Sequence, residues 1–227
     1  MELVSKKELL KDFEVEASFY NVKIADRVFE CRNHARIKRI GFSSNKLDAI
    51  FILCNPGSCD PFIKETVPLL DPRNEEAPFI KAHSDPTQEQ IMRLMKIKQW
   101  NLIYIINLSD LCSGNFPDFK AKLNDALNNS FTYHSIFSNE REDEIKKLLD
   151  SNPSVDVIAG WGTEAFIKNM AKEVIQHKLI NNIKGWKHNN HPYYYHPNPH
   201  NYKSKKMWIG RTLQSIEGEF ILNDVHP

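Results

Sequence analysis

The chain of 227 residues carries a formal net charge of +1, with 41% hydrophobic and 26% charged residues. These values are typical of a globular protein, and the small net charge excludes a strongly basic nucleic-acid-binding protein. No apolar run approaches the roughly 20 residues of a membrane helix, and the polar amino terminus is unlike a signal peptide. We therefore expect a cytoplasmic protein with no membrane partner. The cysteines form no C-x-x-C pair, which indicates reduced thiols; they are Cys31, Cys54, Cys59 and Cys112.

No linker, low-complexity tract or internal repeat divides the chain. We therefore predict a single domain over residues 1–227. In this prediction residues 1–45 form a peripheral helix and an edge segment, and residues 46–222 form an α/β core.

Basic residues are unevenly distributed along the chain. Residues 174–216 contain seven Lys or Arg and no Asp or Glu, and residues 31–47 contain five more with no acidic residue. Such a distribution favours attraction of phosphate to one face of the protein. A solvated basic surface without a partner explains it equally well.

The first predicted elements are a short helix and a β-like segment. Residues 5–18 space their apolar side chains as a helix does. Residues 28–42 interleave apolar and basic side chains, which is typical of an antiparallel hairpin or an edge strand.

A buried strand follows and ends at a polar turn. Residues 49–54 are six consecutive apolar residues, as in a strand covered on both faces. Asn55, Pro56 and Gly57 end this run, because proline lacks an N–H group and glycine permits a tight turn. Asn55 therefore lies where open α/β sheets place their ligands, although an ordinary turn is the simpler interpretation.

Helices and strands alternate in the rest of the chain. Asp85 or Ser84 is predicted to cap a helix over residues 88–99. Further helices are predicted over residues 140–150 and 164–178, and a last helix with a closing segment over residues 207–222. Further strands are predicted over residues 102–106, 155–159 and 193–195.

This alternation predicts a parallel sheet with right-handed crossovers. All four predicted strands would then point the same way, and the residues that follow them would converge at one edge of the sheet. These residues are Asn55, Asn107, Trp161-Gly162 and His196.

The same landmarks resemble two protein families. One is an uncharacterised bacterial family of unknown function with the motifs L-N-P-S, D-P-T, N-L and W-G in the same order. The other is the uracil-DNA glycosylase superfamily, whose strands end in G-I-N-P-G, L-L-N, W-G and H-P-S-P. The matching residues here are Asn55-Pro56-Gly57, Asp85-Pro86-Thr87, Asn107-Leu108, Trp161-Gly162 and His196-Pro197-Asn198-Pro199. The resemblance implies a three-layer αβα fold with a central, mainly parallel four-stranded sheet.

The resemblance also implies hydrolysis of the N-glycosidic bond of a flipped or single-stranded damaged base. Asn55 would position the attacking water, and a neutral His196 would donate a hydrogen bond to the departing base. The implied substrate-binding residues are Pro56, Gly57, Asn107, Trp161, Gly162 and Asn198, with Phe62 or Phe79 as the ring that stacks on the base. Nucleic-acid phosphates would contact Lys203, Lys205 and Lys206. No cofactor or metal is expected.

Two other functions remain open at this point. The same residues could hold a nucleotide or a nucleic acid without cleaving it. Alternatively, the spacing H-x2-H-x4-H-x3-H is compatible with a metal-dependent hydrolase that takes Asp60 or Asp85 as a carboxylate ligand. The histidines of this spacing are His188, His191, His196 and His200.

Overall fold

The computed structural model describes residues 2–218, which form an α/β architecture with one seven-stranded mixed sheet and six α-helices. The strands are β1 (Phe13–Ile24), β2 (Arg27–Arg39), β3 (Ala49–Leu53), β4 (Asp60–Pro61), β5 (Phe79–His83), β6 (Leu102–Asn107) and β7 (Asp156–Ala159). The helices are α1 (Lys6–Asp12), α2 (Pro86–Lys98), α3 (Phe116–Asn128), α4 (Glu142–Asp150), α5 (Lys168–Gln176) and α6 (Tyr202–Glu217).

Most elements predicted beyond residue 46 are confirmed. Strands β3, β6 and β7 and helices α2, α4 and α5 lie where the sequence places them. Helix α6 begins earlier than predicted, and residues 219–222 of that prediction lie outside the described residues. The strand predicted at residues 193–195 is wrong, because Tyr194 makes only isolated bridges, to Gly162 and Lys187.

The prediction of a central, mainly parallel four-stranded sheet is also wrong. The strands lie in the order β4–β5–β1–β2–β6–β3–β7, and the pairings β3–β6 and β3–β7 are parallel. The pairings β1–β2, β1–β5, β2–β6 and β4–β5 are antiparallel. The predicted amino-terminal helix is confirmed only as α1, and the β-like pattern of residues 28–42 is confirmed as part of the antiparallel β1–β2 hairpin. This hairpin is not at the edge, because it occupies the interior of the sheet between β5 and β6.

The physical reason for this error lies at the junction of α1 and β1. Leu9, Leu10 and Phe13 are spaced as on a helix, but α1 ends at Asp12 and Phe13 opens a strand. The alternation of side chains between the two faces of β1 therefore begins inside a stretch whose apolar residues are spaced as on a helix. Chain order also cannot show that the long β1–β2 hairpin pairs with β6, because that pairing joins residues about 65 positions apart.

Helices cover both faces of the sheet. Helices α1, α2 and α6 contribute to the buried apolar cluster on one face, and α3, α4 and α5 to the cluster on the other. All five residues of β3 are buried as a result, so the prediction of a strand covered on both faces is confirmed.

A β-bulge in β2 changes the direction of its side chains. Ala17 of β1 pairs with Ala35, and Phe19 pairs with Arg32, so two residues of β2 stand opposite the single Ser18. The extra residue places Arg32 on the same face as Phe19 and Ala35, which belong to the α2 side. Bulges commonly redirect side chains near functional sites.

A buried polar network joins β1, β2 and the end of β6 to α4. The Asp110 carboxylate accepts hydrogen bonds from the Tyr20 hydroxyl and from Arg141 Nη1, each at 2.6 Å. Arg141 also donates to Asn33 Oδ1 at 2.9 Å and to Glu144 Oε2 at 2.8 Å. Burial alone would raise the pKa of Glu144, but the His34 hydrogen bond and the Arg141 charge outweigh it and hold that pKa at about 2.

We expect Arg141→Met to destabilise the protein by about 3–5 kcal/mol, because it leaves the Asp110 charge buried without its cation. The measurement is the free energy of unfolding in urea. Lys147→Met is the matched control, since the Lys147–Glu76 ion pair is exposed, and it should leave the unfolding midpoint almost unchanged. Equal effects of the two substitutions would contradict this role for the network.

Candidate active site

A cleft of about 220 Å³ opens where the parallel strands end. Leu53 pairs with Asn107 and Ile52 with Ala159, so β6, β3 and β7 finish side by side. Four segments form its walls: the turn after β3, the start of α2, the start of α3 and the loop before α6. The volume lies below the roughly 300–1,000 Å³ of sites for drug-sized ligands, so the cleft suits a small ligand or one ring of a larger one.

Asn55 lies in this cleft with its side-chain amide held in one orientation. Its Nδ2 donates to the backbone oxygen of Ser113 at 2.7 Å. No residue within 2–218 donates a hydrogen bond to its Oδ1. Asn55 therefore offers the cleft a free acceptor, which suits a water molecule or an N–H group of a ligand.

His196 presents the complementary donor in the same cleft. Its Nδ1 accepts the backbone N–H of Asn198 at 3.2 Å, which places the ring proton on Nε2. Burial lowers the pKa of His196 to about 4, so the ring is neutral at pH 7. Within the described chain, Nε2 has no hydrogen-bond acceptor, and it is therefore a neutral donor available to a ligand.

The loop that carries His196 lies against the end of β7 through the packing of a proline ring on a glycine. Pro197 packs on Gly160, where a Cβ atom would lie only 3.0 Å from Pro197 Cδ. Any larger residue at position 160 would push the loop outward. Gly160, which precedes the Trp161-Gly162 motif, thus sets how closely the His196 loop approaches the end of β7.

Asp85 lines the cleft, although the sequence predicted it only as a helix cap or as a ligand in the metal-dependent alternative. It caps α2 as predicted, with Oδ1 accepting the N–H of Gln88 at 2.8 Å. It also lines the cleft, and its Oδ2 lies against the Gly57 backbone. Burial raises the pKa of Asp85, although the Gln88 N–H and the Arg32 charge oppose that rise. The Asp-Pro-Thr motif drew attention to Asp85 in the sequence, but helix capping was a sufficient explanation of the motif.

Arg32 and Asn107 lie beneath the turn after β3. Arg32 is 1% exposed and donates from Nη1 to the Pro56 oxygen at 3.1 Å. With its amide oriented to form both bonds, Asn107 donates to the Asn55 backbone oxygen at 3.1 Å and accepts from Arg32 Nη2 at 3.2 Å. Asn107 is fully buried, so the structure places it as a support for Asn55 rather than in contact with a ligand.

The other predicted substrate-binding residues divide into two groups. Pro56, Gly57 and Asn198 line the cleft together with Asn55 and His196. Trp161 is fully buried and donates from Nε1 to the Pro192 oxygen at 3.1 Å, so it belongs to the core. Gly162 lies just behind the cleft wall, since a Cβ there would be 4.0 Å from His196 Cβ.

An aromatic ring suited to stacking is present, but it is neither of the predicted ones. Phe116, the first residue of α3, lines the cleft. Phe62 instead stacks on His83 with ring centres 4.1 Å apart, and Phe79 lies under the Arg36 guanidinium. The sequence offered little signal for Phe116, because α3 itself was not predicted.

The three predicted phosphate-binding lysines lie on the first turns of α6, outside the cleft lining. The chain runs directly from the His196 loop into this helix, so the two features are close in sequence. Lys206 Nζ lies 4.6 Å from the centre of the Tyr202 ring. Lys203 and Lys205 make no ion pair with the residues that the structure describes.

The remaining histidines do not assemble a metal site. Within residues 2–218, no group of three His, Cys, Asp or Glu side chains is arranged to hold a metal ion. His188 packs against Tyr193 and Tyr195 instead. The metal-dependent alternative therefore has no ligand set in this part of the chain. The four cysteines are unpaired thiols.

Comparison with protein-family models, curated proteins and solved structures finds no match for this chain. The resemblance to the bacterial family and to the uracil-DNA glycosylases therefore stays a prediction. None of the helices within residues 2–218 is both long and apolar enough to cross a membrane.

Gly57→Ala should disturb the cleft through Asp85. The backbone of Gly57 has φ +68°, and an added Cβ would lie 2.7 Å from Asp85 Oδ2. The matched control is Gly41→Ala, since Gly41 has φ +82° and no heavy atom within 4 Å of an added Cβ. Both should lose about 1–2 kcal/mol of unfolding free energy from the left-handed backbone, measured in urea. Gly57→Ala should lose more, because Asp85 must move from its capping position; equal losses would contradict this role of Asp85.

Proposed function

We propose that the cleft hydrolyses the N-glycosidic bond of a nucleotide unit, in the manner of a uracil-DNA glycosylase. One observation carries the proposal: Asn55 supplies a free acceptor and the neutral His196 a free donor to the same cleft. The reaction needs both, because water must be aligned on the sugar while negative charge develops on the departing base.

Asp85 adds the proton acceptor that an asparagine alone cannot supply. Its carboxylate lies against the turn that follows Asn55, and burial raises its pKa. A base with a raised pKa accepts a proton more readily than an exposed carboxylate does. Water held by Asn55 attacks the anomeric carbon and gives a proton to Asp85. The bond electrons leave with the base, whose charge is stabilised by His196 Nε2–H.

The cleft also has groups suited to a planar heterocycle. Phe116 supplies an aromatic ring at one wall, and such rings stack on bases with little regard to their identity. Three buried polar atoms of cleft residues have no partner within residues 2–218, namely Arg32 Nε, Gln88 Nε2 and Asn198 Oδ1. A base with both acceptors and an N–H group would satisfy them, and unsatisfied buried groups are uncommon without such a reason.

A second candidate function is binding of a nucleotide without cleavage. The observation that favours it is the position of Asp85, whose Oδ1 is already occupied as the cap of α2. A carboxylate engaged in this way is a weaker proton acceptor than a free one. The two functions differ in one outcome, which is release of the base.

Asp85→Asn separates the two roles of this residue, since asparagine caps helices as well as aspartate does. We expect normal folding and a loss of base release of about 10²–10⁴-fold, because the proton acceptor is gone. His196→Phe should lose about 10²–10³-fold through removal of one donor to the leaving group. The assay measures base release from uracil- and hypoxanthine-containing single strands and from the free nucleotides. Asp143→Asn, an exposed change on α4 outside the cleft, is the control.

Base release that is unchanged in both variants would contradict the hydrolase. Binding of these strands or nucleotides without any release, weakened by His196→Phe, would instead establish the binding function. If the protein neither binds these strands and nucleotides nor releases a base from them, both candidate functions are contradicted.

The lysines of α6 test whether the partner is a nucleic acid. Replacing Lys203, Lys205 and Lys206 by Gln should weaken binding of a single strand and reduce the salt dependence of log K by about 0.7 for each phosphate that is no longer neutralised. The same change at Lys120, Lys168 and Lys172, which are exposed on α3 and α5, keeps the net charge equal and is the control. Equal slopes in the two triple variants would contradict phosphate binding by the α6 lysines.

A further inference from the structure

A second, larger depression lies beside the candidate active site. It is a groove of about 910 Å³ lined by residues of α3 and α5 and by several residues between 132 and 142. We name it the α3–α5 groove. It shares no lining residue with the cleft. Its volume falls within the roughly 300–1,000 Å³ range of sites that bury small ligands.

The floor of the α3–α5 groove is apolar. Leu123, Phe137 and Met170 are among the residues that line it, and Leu127 of α3 contributes a side chain that is 51% exposed. Apolar surface of this kind gains free energy when a ligand covers it, at about 25 cal/mol for each Å² removed from water. The groove is therefore able to bind the apolar body of a ligand.

The charges along the groove have one predominant sign. Its lining includes three carboxylates, Glu140, Glu142 and Glu173, and one ammonium group, Lys178. The Thr132 hydroxyl donates to Glu140 at 2.6 Å and lowers the pKa of that carboxyl, so it is ionised at neutral pH. The groove thus carries more negative than positive charge, which attracts cations and disfavours phosphate.

Buried polar atoms provide independent evidence for a ligand. His134 is 4% exposed, lines the groove, and has no partner for Nδ1 among the described residues. His177 Nδ1, also in the lining, is buried without a partner among the described residues. Two unsatisfied imidazole nitrogens along one groove are unusual, since buried polar groups are normally hydrogen-bonded. A bound ligand with polar groups of its own would satisfy them.

We propose that the α3–α5 groove binds an amphipathic organic cation, with its apolar body on the floor and its ammonium group toward Glu173 and the other carboxylates. The apolar lining favours the apolar body of the ligand, and the excess of carboxylates favours its positive charge. This site is independent of the proposed hydrolysis, because none of its residues lines the cleft.

The test uses three probes that share a naphthyl ring: 2-(1-naphthyl)ethylammonium, 2-(1-naphthyl)ethanol and 1-naphthylacetate. Protein labelled with ¹³C in its methionine methyl groups is titrated with each of them. We expect the Met170 methyl resonance to shift and saturate, with affinity falling from ammonium to alcohol to carboxylate. Met207, which is exposed on α6 outside the groove, should not shift.

Two variants separate charge from apolar contact. Glu173→Gln should weaken ammonium binding about two- to fivefold, as for a partly exposed ion pair, and leave alcohol binding unchanged. Leu127→Ser, at a half-exposed position, should weaken all three probes. Asp143→Asn, an exposed acidic position outside the groove lining, should change none of them. A Met170 signal that does not move, or carboxylate binding as tight as ammonium binding, would overturn the proposal.

Discussion

The buried guanidinium of Arg32 is the interaction on which the cleft depends. It reaches from β2, in the antiparallel part of the sheet, to the turn after β3 and the end of β6, in the parallel part. Its hydrogen bonds to Pro56 and Asn107 fix the backbone that carries Asn55. The β-bulge opposite Ser18 makes this contact possible, since strict alternation would direct Arg32 to the other face.

This arrangement also sets the electrostatics of the cleft. Arg32 makes no ion pair within residues 2–218, and its hydrogen-bonded partners are neutral oxygens. Its charge therefore acts on Asp85, where it opposes the increase in pKa caused by burial. Removal from water lowers the pKa of His196, so the ring stays uncharged, and the same removal raises the pKa of Asp85. One buried cation, one perturbed carboxylate and one neutral imidazole are a combination suited to proton transfer and charge stabilisation.

The cleft and the α3–α5 groove differ in chemistry although they are neighbours. Phe116 of the cleft and Phe166 of the groove meet edge to face, with ring centres 6.3 Å apart. The cleft is narrow and rich in hydrogen-bonding groups, whereas the groove is wide, apolar and rimmed by carboxylates. The protein therefore presents two depressions of different chemistry, on either side of one aromatic pair.

The sequence by itself determined the strands β3, β6 and β7, the cap of α2, and the placement of Asn55 directly after a buried strand. Those features are local, because apolar runs, proline and glycine act within a few residues. Only the tertiary structure decided the antiparallel hairpin inside the sheet, the burial of Asn107 and Trp161, and the entry of Arg32, Asp85 and Phe116 into the cleft. Each of these depends on pairing between distant residues and on a single-residue bulge, which local patterns do not specify.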